Sequence, residues 1–273
     1  AVQLLNGGEI WRDVRSLVQF KEKVRDLRVL AVVKGFRGLD ELTELVCLNL
    51  EDSPPLPVVD LSRLQNLRDC KFGWSPRLVA RSFFSLPNLE RISIYRYVAP
   101  TCSEVGLAKR LREATFRHGT IGSLEGVQGC TDLEILRLVR VRELTSISPL
   151  SACKRLRILD IDEGPEIHGL PILGELPNLE EVLLSGRFEL ESIEWMRGLQ
   201  HLQRFRSDAL VRSIDWTIPF SLPKLTDFAT RFVPGSSLSV ADFKRLAGSS
   251  GRSVLVEFGG TRRSPWVELT ISR

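Results

Sequence analysis

The 273-residue sequence predicts an α/β fold, a right-handed solenoid of stacked repeats in one domain. Its parallel sheet, about ten strands by the stacked-repeat logic, lines a concave face. Three observations predict this. Leucine stands at Leu45, Leu67, Leu89, Leu111, Leu133, Leu156, Leu179, Leu202 and Leu225, always 22 or 23 residues apart. Three residues after each comes the first inward residue of a short apolar strand: Leu48, Cys70, Ile92, Ala114, Leu136, Leu159, Val182, Phe205 and Phe228. Both flanks of the array carry segments of a different kind, which the ends of an array need to cover their last apolar faces. One strand with its return segment cannot bury its apolar face alone. Stacking sets strands side by side at ~4.8 Å and closes a continuous core.

The elements follow in order. Residues 1–29 are the expected N-terminal cap. Ile10, Val14, Leu17, Phe20 and Val24 fall at helical spacing, and Leu30 with Val32 is expected on the first strand of the sheet. Residues 30–232 hold the repeats. Six residues before each anchor lies another apolar column, Leu42 through Leu222, with Cys130 and Cys153 in it. Two residues after each anchor a third column runs from Leu50 to Leu184, and its register fades at Ser207 and Thr230. Residues 233–273 are the expected C-terminal cap. "SVADFKRLAG" reads as a helix with Ser239 as N-cap and Gly248 as stop. "SVLVEF" and "WVELTIS" alternate about "GGTRRSP" as a hairpin.

Several stretches follow the pattern LxxLxxLxL: "LDELTELVCLNL", "LSRLQNLRDCKF" and "FSLPNLERISI". Over roughly residues 24–230 the sequence resembles the leucine-rich repeat family. "LTSISPLSACKRLRILDI" is similar to the internalin style of repeat, with Leu144 and Ile147 at its two turn positions. Ile167 with Leu170, and Leu190 with Ile193, repeat that style. The family often has asparagine five residues after the anchor. Here those places hold Ser53, Ser75, Tyr97, Gly119, Val141, Gly164 and Arg187, so irregular turns without an asparagine ladder are expected.

Composition narrows the function classes. A net charge of +4 is mild, and acidic residues interleave with the basic ones, which argues against nucleic acid as partner. No apolar run reaches the ~18 residues of a membrane span, and the first twenty residues lack the order of a signal peptide. Five cysteines without CxxC spacing predict reduced thiols in a cytoplasmic protein. Of 38 basic residues 30 are arginine, a bias that suggests a GC-rich bacterial genome.

No phosphate-binding, nucleophile-elbow, dinucleotide or zinc-protease motif is present. His118, His168 and His201 have no partner at metal-ligand spacing, and Asp160-Ile-Asp162 lacks the remaining oxygens of a calcium loop. The expectation is a non-enzymatic protein without cofactor or metal.

Side chains alternate along a strand, so residues flanking each anchor point to the concave face. There Lys71, Trp74, Arg91, Tyr95, Tyr97, Arg117 and Arg137 cluster, followed by the acidic Asp160 and Asp162. Aromatic and arginine side chains are the types enriched at binding hot spots, so these nine are the expected partner-binding residues. The Arg204/Arg206 strand is the second place to look. The resemblance implies a protein-binding module, a toxin-neutralising immunity protein or an adaptor being the specific expectation. The alternative is the sensor or substrate-recruiting segment of a larger protein.

Overall fold

The computed structural model describes residues 1–5, 14–30, 36–50, 60–75, 80–164, 166–186, 189–233, 238–261 and 264–272. They form two compact units, residues 1–133 with 141–143, and residues 134–140 with 144–273.

The first unit contains β1 (Val2–Leu5), β2 (Asp26–Leu30), β3 (Cys47–Leu50), β4 (Asp69–Gly73), β5 (Arg91–Tyr95), β6 (Val98–Ala99), β7 (Glu113–Arg117) and β8 (Thr120–Ile121). Strands β1, β2, β3, β4, β5 and β7 pair in that order, all parallel. Leu48, Cys70, Ile92 and Ala114 stand side by side, so 22 residues is one rung of the stack. The short β6 and β8 pair separately at the turns.

The second unit contains β9 (Ile135–Val139), β10 (Ile158–Gly164), β11 (Glu181–Gly186), β12 (Glu189–Ser192), β13 (Arg204–Ser213), β14 (Asp227–Phe232), β15 (Ser253–Thr261) and β16 (Ser264–Ser272). Strands β9, β10, β11, β13 and β14 pair in parallel and bring Leu136, Leu159, Val182, Phe205 and Phe228 into one row. β16 then runs antiparallel beside β14, and β15 beside β16. All nine column leucines, Leu45 to Leu225, are 0% exposed.

The return segments are mostly 3-10 turns such as Val105–Leu107, Ser148–Ala152 and Glu194–Gly198. A 3-10 turn rises ~2.0 Å per residue, so a few residues carry the chain back toward the next strand. The α-helices described are α1 (Ala80–Phe84), α2 (Ile218–Ser221) and α3 (Val240–Ser249).

The caps differ in detail from expectation. The N-terminal segment is a 3-10 run, Arg15–Lys23, interrupted at Phe20 with φ −113°. The 3.6-residue stripe therefore does not form: Val14 and Val24 are buried, and Phe20 is 53% exposed. Ile10 and Val32 lie outside the described residues. The strand beside β3 ends at Leu30 and presents Leu27 and Val29 to the core, and Leu27 pairs with Leu48. A further strand, β1, precedes it. At the other end Ser239 and Asp242 form a capping box on α3. Gly248 sits inside that helix, and Gly251, with φ +68°, follows its end. At Ser207 and Thr230 the apolar column ends as expected, and the β13/β14 ladder shifts register between Arg206 and Leu210. Both are buried at their column positions, Ser207 Oγ accepting from the Ala209 N–H at 3.1 Å and Thr230 Oγ1 donating to the Arg231 carbonyl at 3.3 Å.

Two cross-rung devices join the repeats. The asparagine position expected after the anchor stays empty of asparagine, but Asn66 and Asn88, just before column leucines, donate to the carbonyls of Thr43 and Gln65 at 3.2 and 2.9 Å. Asn178 does the same to Lys154 in the second unit, at 2.8 Å. Just after the column leucines the charges alternate: Arg68, Glu90 and Arg112 in the first unit, Glu134, Arg157 and Glu180 in the second. Arg68 pairs with Glu90 at 3.3 Å, and Arg157 with Glu180 at 2.8 Å and Glu134 at 3.8 Å. The arginine excess thus has a structural use, because a guanidinium fork spans neighbouring rungs.

The five cysteines carry free thiols, and Cys70, Cys102, Cys130 and Cys153 are fully buried. Burial pushes the Cys102 thiol up to about 12 and that of Cys153 to about 11, so both stay protonated. The Cys130 thiol donates to the Val105 carbonyl at 3.2 Å.

Candidate functional site

In both units the core lies on one face of the sheet and the residues flanking each anchor occupy the other. In the first unit Arg91 is tied to Asp69 of the neighbouring strand at 3.1 Å. Tyr95 stands beside Arg117 in the ladder and is 37% exposed, with the Arg96 guanidinium 5.1 Å from its ring centroid and the His118 ring 5.2 Å away. Lys71 is half-buried.

Two predicted residues belong elsewhere. Tyr97 is 0% exposed, and Trp74 is half-buried with its ring centroid 4.6 Å from that of Tyr97. Phe84 and Phe116 complete the cluster at 6.3 and 5.1 Å from Tyr97. Arg96 explains the correction. Its φ of +58° places it in the left-handed region, where the strand alternation ends, and the next side chain turns inward. His118, φ +53°, turns the buried Gly119 inward in the same way.

In the second unit Arg137 stands beside Asp160, and Val139 beside Asp162. Both aspartates line a groove of about 530 Å³ on the open face. Val139, Leu183 and Ala229 supply apolar surface, while Asp208, Arg206 and Arg231 add charge along β13 and β14. The hairpin closes one side with Trp266, which pairs with Arg231 across β14/β16 and with Gly259 across β15/β16. A Cβ on Gly259 would lie 2.3 Å from the indole, so glycine lets that ring lie over β15.

The charges are unequally spent. Arg206 reaches Asp227 at 2.8 Å and also Glu268, and Arg204 lies between Glu181 at 3.2 Å and Asp227 at 3.3 Å. Asp208 accepts from the Gly186 N–H at 2.9 Å, and Asp162 from the Ser185 hydroxyl at 3.1 Å. Among the described residues Asp160, Asp162 and Arg231 form no ion pair.

Burial first, then the charge of Asp162, hold the Asp160 pKa above its ordinary value, with Glu181 adding and Arg137 opposing. A raised folded-state pKa means that the ionised carboxylate costs stability. Below the unfolded-state pKa both states are protonated and nothing is lost. As pH rises through that value the unfolded chain ionises first and stability falls, and the loss is complete above the folded pKa. Asp160→Asn is therefore expected to keep or raise the melting temperature at pH 7, with no gain near pH 3. A lower melting temperature at pH 7 would contradict this.

Sequence reading placed Asp160 and Asp162 but missed Asp208, Arg231 and Trp266 as their neighbours. Asp162, Ser185 and Asp208 share one outward column, and that signal was available. The docking of the hairpin beside β14 was not, because it lies outside the repeat period. Among the described residues no cluster of three or more His, Cys, Asp or Glu is arranged to hold a metal ion.

No family model and no curated protein matches this sequence. Solved structures do. A leucine-rich repeat protein of Leptospira interrogans is similar at 16% identity with TM-score 0.59, covering 85% of this chain and 72% of that one. A TDR receptor is similar at 14% identity with TM-score 0.58, covering 85% and 47%. TLR13, solved as a complex with ssRNA13, is similar at 17% identity with TM-score 0.58, covering 87% and 44%.

Proposed function

Taking the leucine-rich repeat fold as premise, we propose that this chain is a non-enzymatic protein-binding module holding its partner on the open, concave face of the sheet. The observation that carries the reading is the groove of the second unit. It joins apolar surface, an aromatic wall and carboxylates without ion pairs. Burial and the neighbouring Asp162 disfavour the Asp160 charge, and a group held at such a cost is a common feature of functional sites. Variable outward columns on an apolar frame suit recognition, since the frame holds while the face changes.

The finer role we propose is a neutralising protein, such as a toxin-blocking immunity protein, or an adaptor, in a bacterial cytoplasm. Four fully buried thiols suit a reducing compartment. A second reading, a sensor or recruiting segment of a larger protein, is favoured by one observation. The chain spans less than half the length of the TDR receptor and TLR13 chains it matches.

A partner captured from the native host and then purified tests the site. Trp266→Ala and Asp162→Lys are each expected to weaken its binding by ~1–3 kcal/mol in calorimetry, the range of interface hot spots. Tyr95→Ala and Arg117→Ala report on the first unit. If that pair weakens binding and the groove variants do not, the site lies on the first unit and the groove reading falls.

A further inference from the structure

Strand β15 ends the sheet of the second unit. Nine of its residues pair with β16 without a bulge, and among the described residues no strand pairs with its other edge. Val254, Val256 and Phe258 share a face with Ile271, Leu269 and Val267 of β16. Those β16 partners are at most 1% exposed, but Val254 and Val256 are only half-buried and Phe258 is 43% exposed. On the opposite face Leu255 is 61% exposed. The core is thus one strand short of full cover at this edge.

Edge strands in soluble proteins are usually blunted by lysine, proline, a bulge or short length. β15 has none of these, and Glu257 is its only charge. Three of the six large apolar side chains exposed among the described residues, Leu255, Phe258 and Val240 of α3, stand on this strand and the helix packed against it.

We propose that β15 pairs antiparallel with β15 of a second copy about a two-fold axis through Val256. The sequence of the strand selects that occupant and register. On the core face Val254 then meets Phe258, and Val256 meets Val256. On the other face Leu255 meets Glu257. A register centred on Leu255 sets Phe258 against Arg252 in place of Val254. A register centred on Glu257, or an in-register parallel pairing, sets Glu257 against its own copy, where like charges directly opposite are destabilising. A register shifted by one residue would turn the apolar row to the wrong face. A two-fold contact also closes on itself, so assembly stops at two.

The test uses the full chain. Light scattering coupled to size exclusion, over ~1–100 µM, the range of a moderate association, is expected to show a monomer passing to a dimer. The double variant Leu255→Lys/Phe258→Lys is expected to stay monomeric with an unchanged circular dichroism spectrum. Val256→Cys, at the axis, is expected to form a covalent dimer under oxidised glutathione, two thiols giving one disulfide and two reduced glutathiones. Ser253→Cys, opposite Gly259 in this register, is expected to form far less. A wild type that stays monomeric, a mass growing beyond two copies, or equal cross-linking at 253 and 256 would each overturn the proposal. If the lysine variant misfolds, the cysteine pair still decides.

Discussion

Replacing Tyr97 by alanine is expected to cost about 3–5 kcal/mol of stability, the usual range for truncating a buried aromatic. The ring is 0% exposed and holds together Trp74, Phe84 and Phe116. Removing it leaves a cavity between two rungs. The hydroxyl adds a sharper test. It is buried without a hydrogen-bond partner among the described residues, and burial pushes the phenol pKa up, so it stays neutral. A buried polar group without a partner costs stability. Tyr97→Phe is therefore expected to be neutral or stabilising in urea titrations. An alanine variant that loses under ~1 kcal/mol, as surface substitutions do, would return Tyr97 to the binding face.

Leu156→Ala is the second large effect, about 2–5 kcal/mol by the same physics of lost burial plus residual cavity. Leu156 belongs to the fully buried column of the second unit, one rung from Leu179. Close-packed neighbours on adjacent rungs cannot all collapse into the space. Val98→Ala, at a side chain 59% exposed, serves as control and is expected to stay within ±0.5 kcal/mol. Equal losses in the two variants would show that the column does not carry the core.

The apolar frame was legible because it repeats. Leu45, Leu48 and Leu50 mark one rung, and the same offsets recur for the other anchors, so even Cys130 and Cys153 are placed by their column. Two kinds of feature were not legible. A single left-handed residue such as Arg96 resets the inside–outside alternation, and no local composition announces it because arginine is an unusual choice there. That is why Tyr97 reads as surface and is core. The C-terminal helix and hairpin were legible from their own local signals, but the N-terminal end was not, for a different reason. The 3-10 run at Arg15–Lys23 mimics helical spacing, and β1, which pairs Val2 with Leu27, lies outside the 22- to 23-residue period. In the candidate site the two aspartates on β10 were found from the repeat, whereas Trp266 reaches them only through the antiparallel hairpin.

The alternating charges beside the leucine column give the array a parity. In the second unit Glu134, Arg157 and Glu180 occupy successive rungs, so each arginine has carboxylates as neighbours. Excising one rung, residues 157–179, would set Glu134 next to Glu180. Duplicating one rung would set arginine next to arginine. Duplicating two adjacent rungs preserves the alternation throughout. Each mismatch costs only a few tenths of a kcal/mol to ~1 kcal/mol, too little to forbid a single step but enough to bias many. Between Arg68 and Glu180, a deletion or duplication of two adjacent rungs, about 45 residues, is therefore expected to leave every arginine beside a carboxylate, where a change of one rung does not.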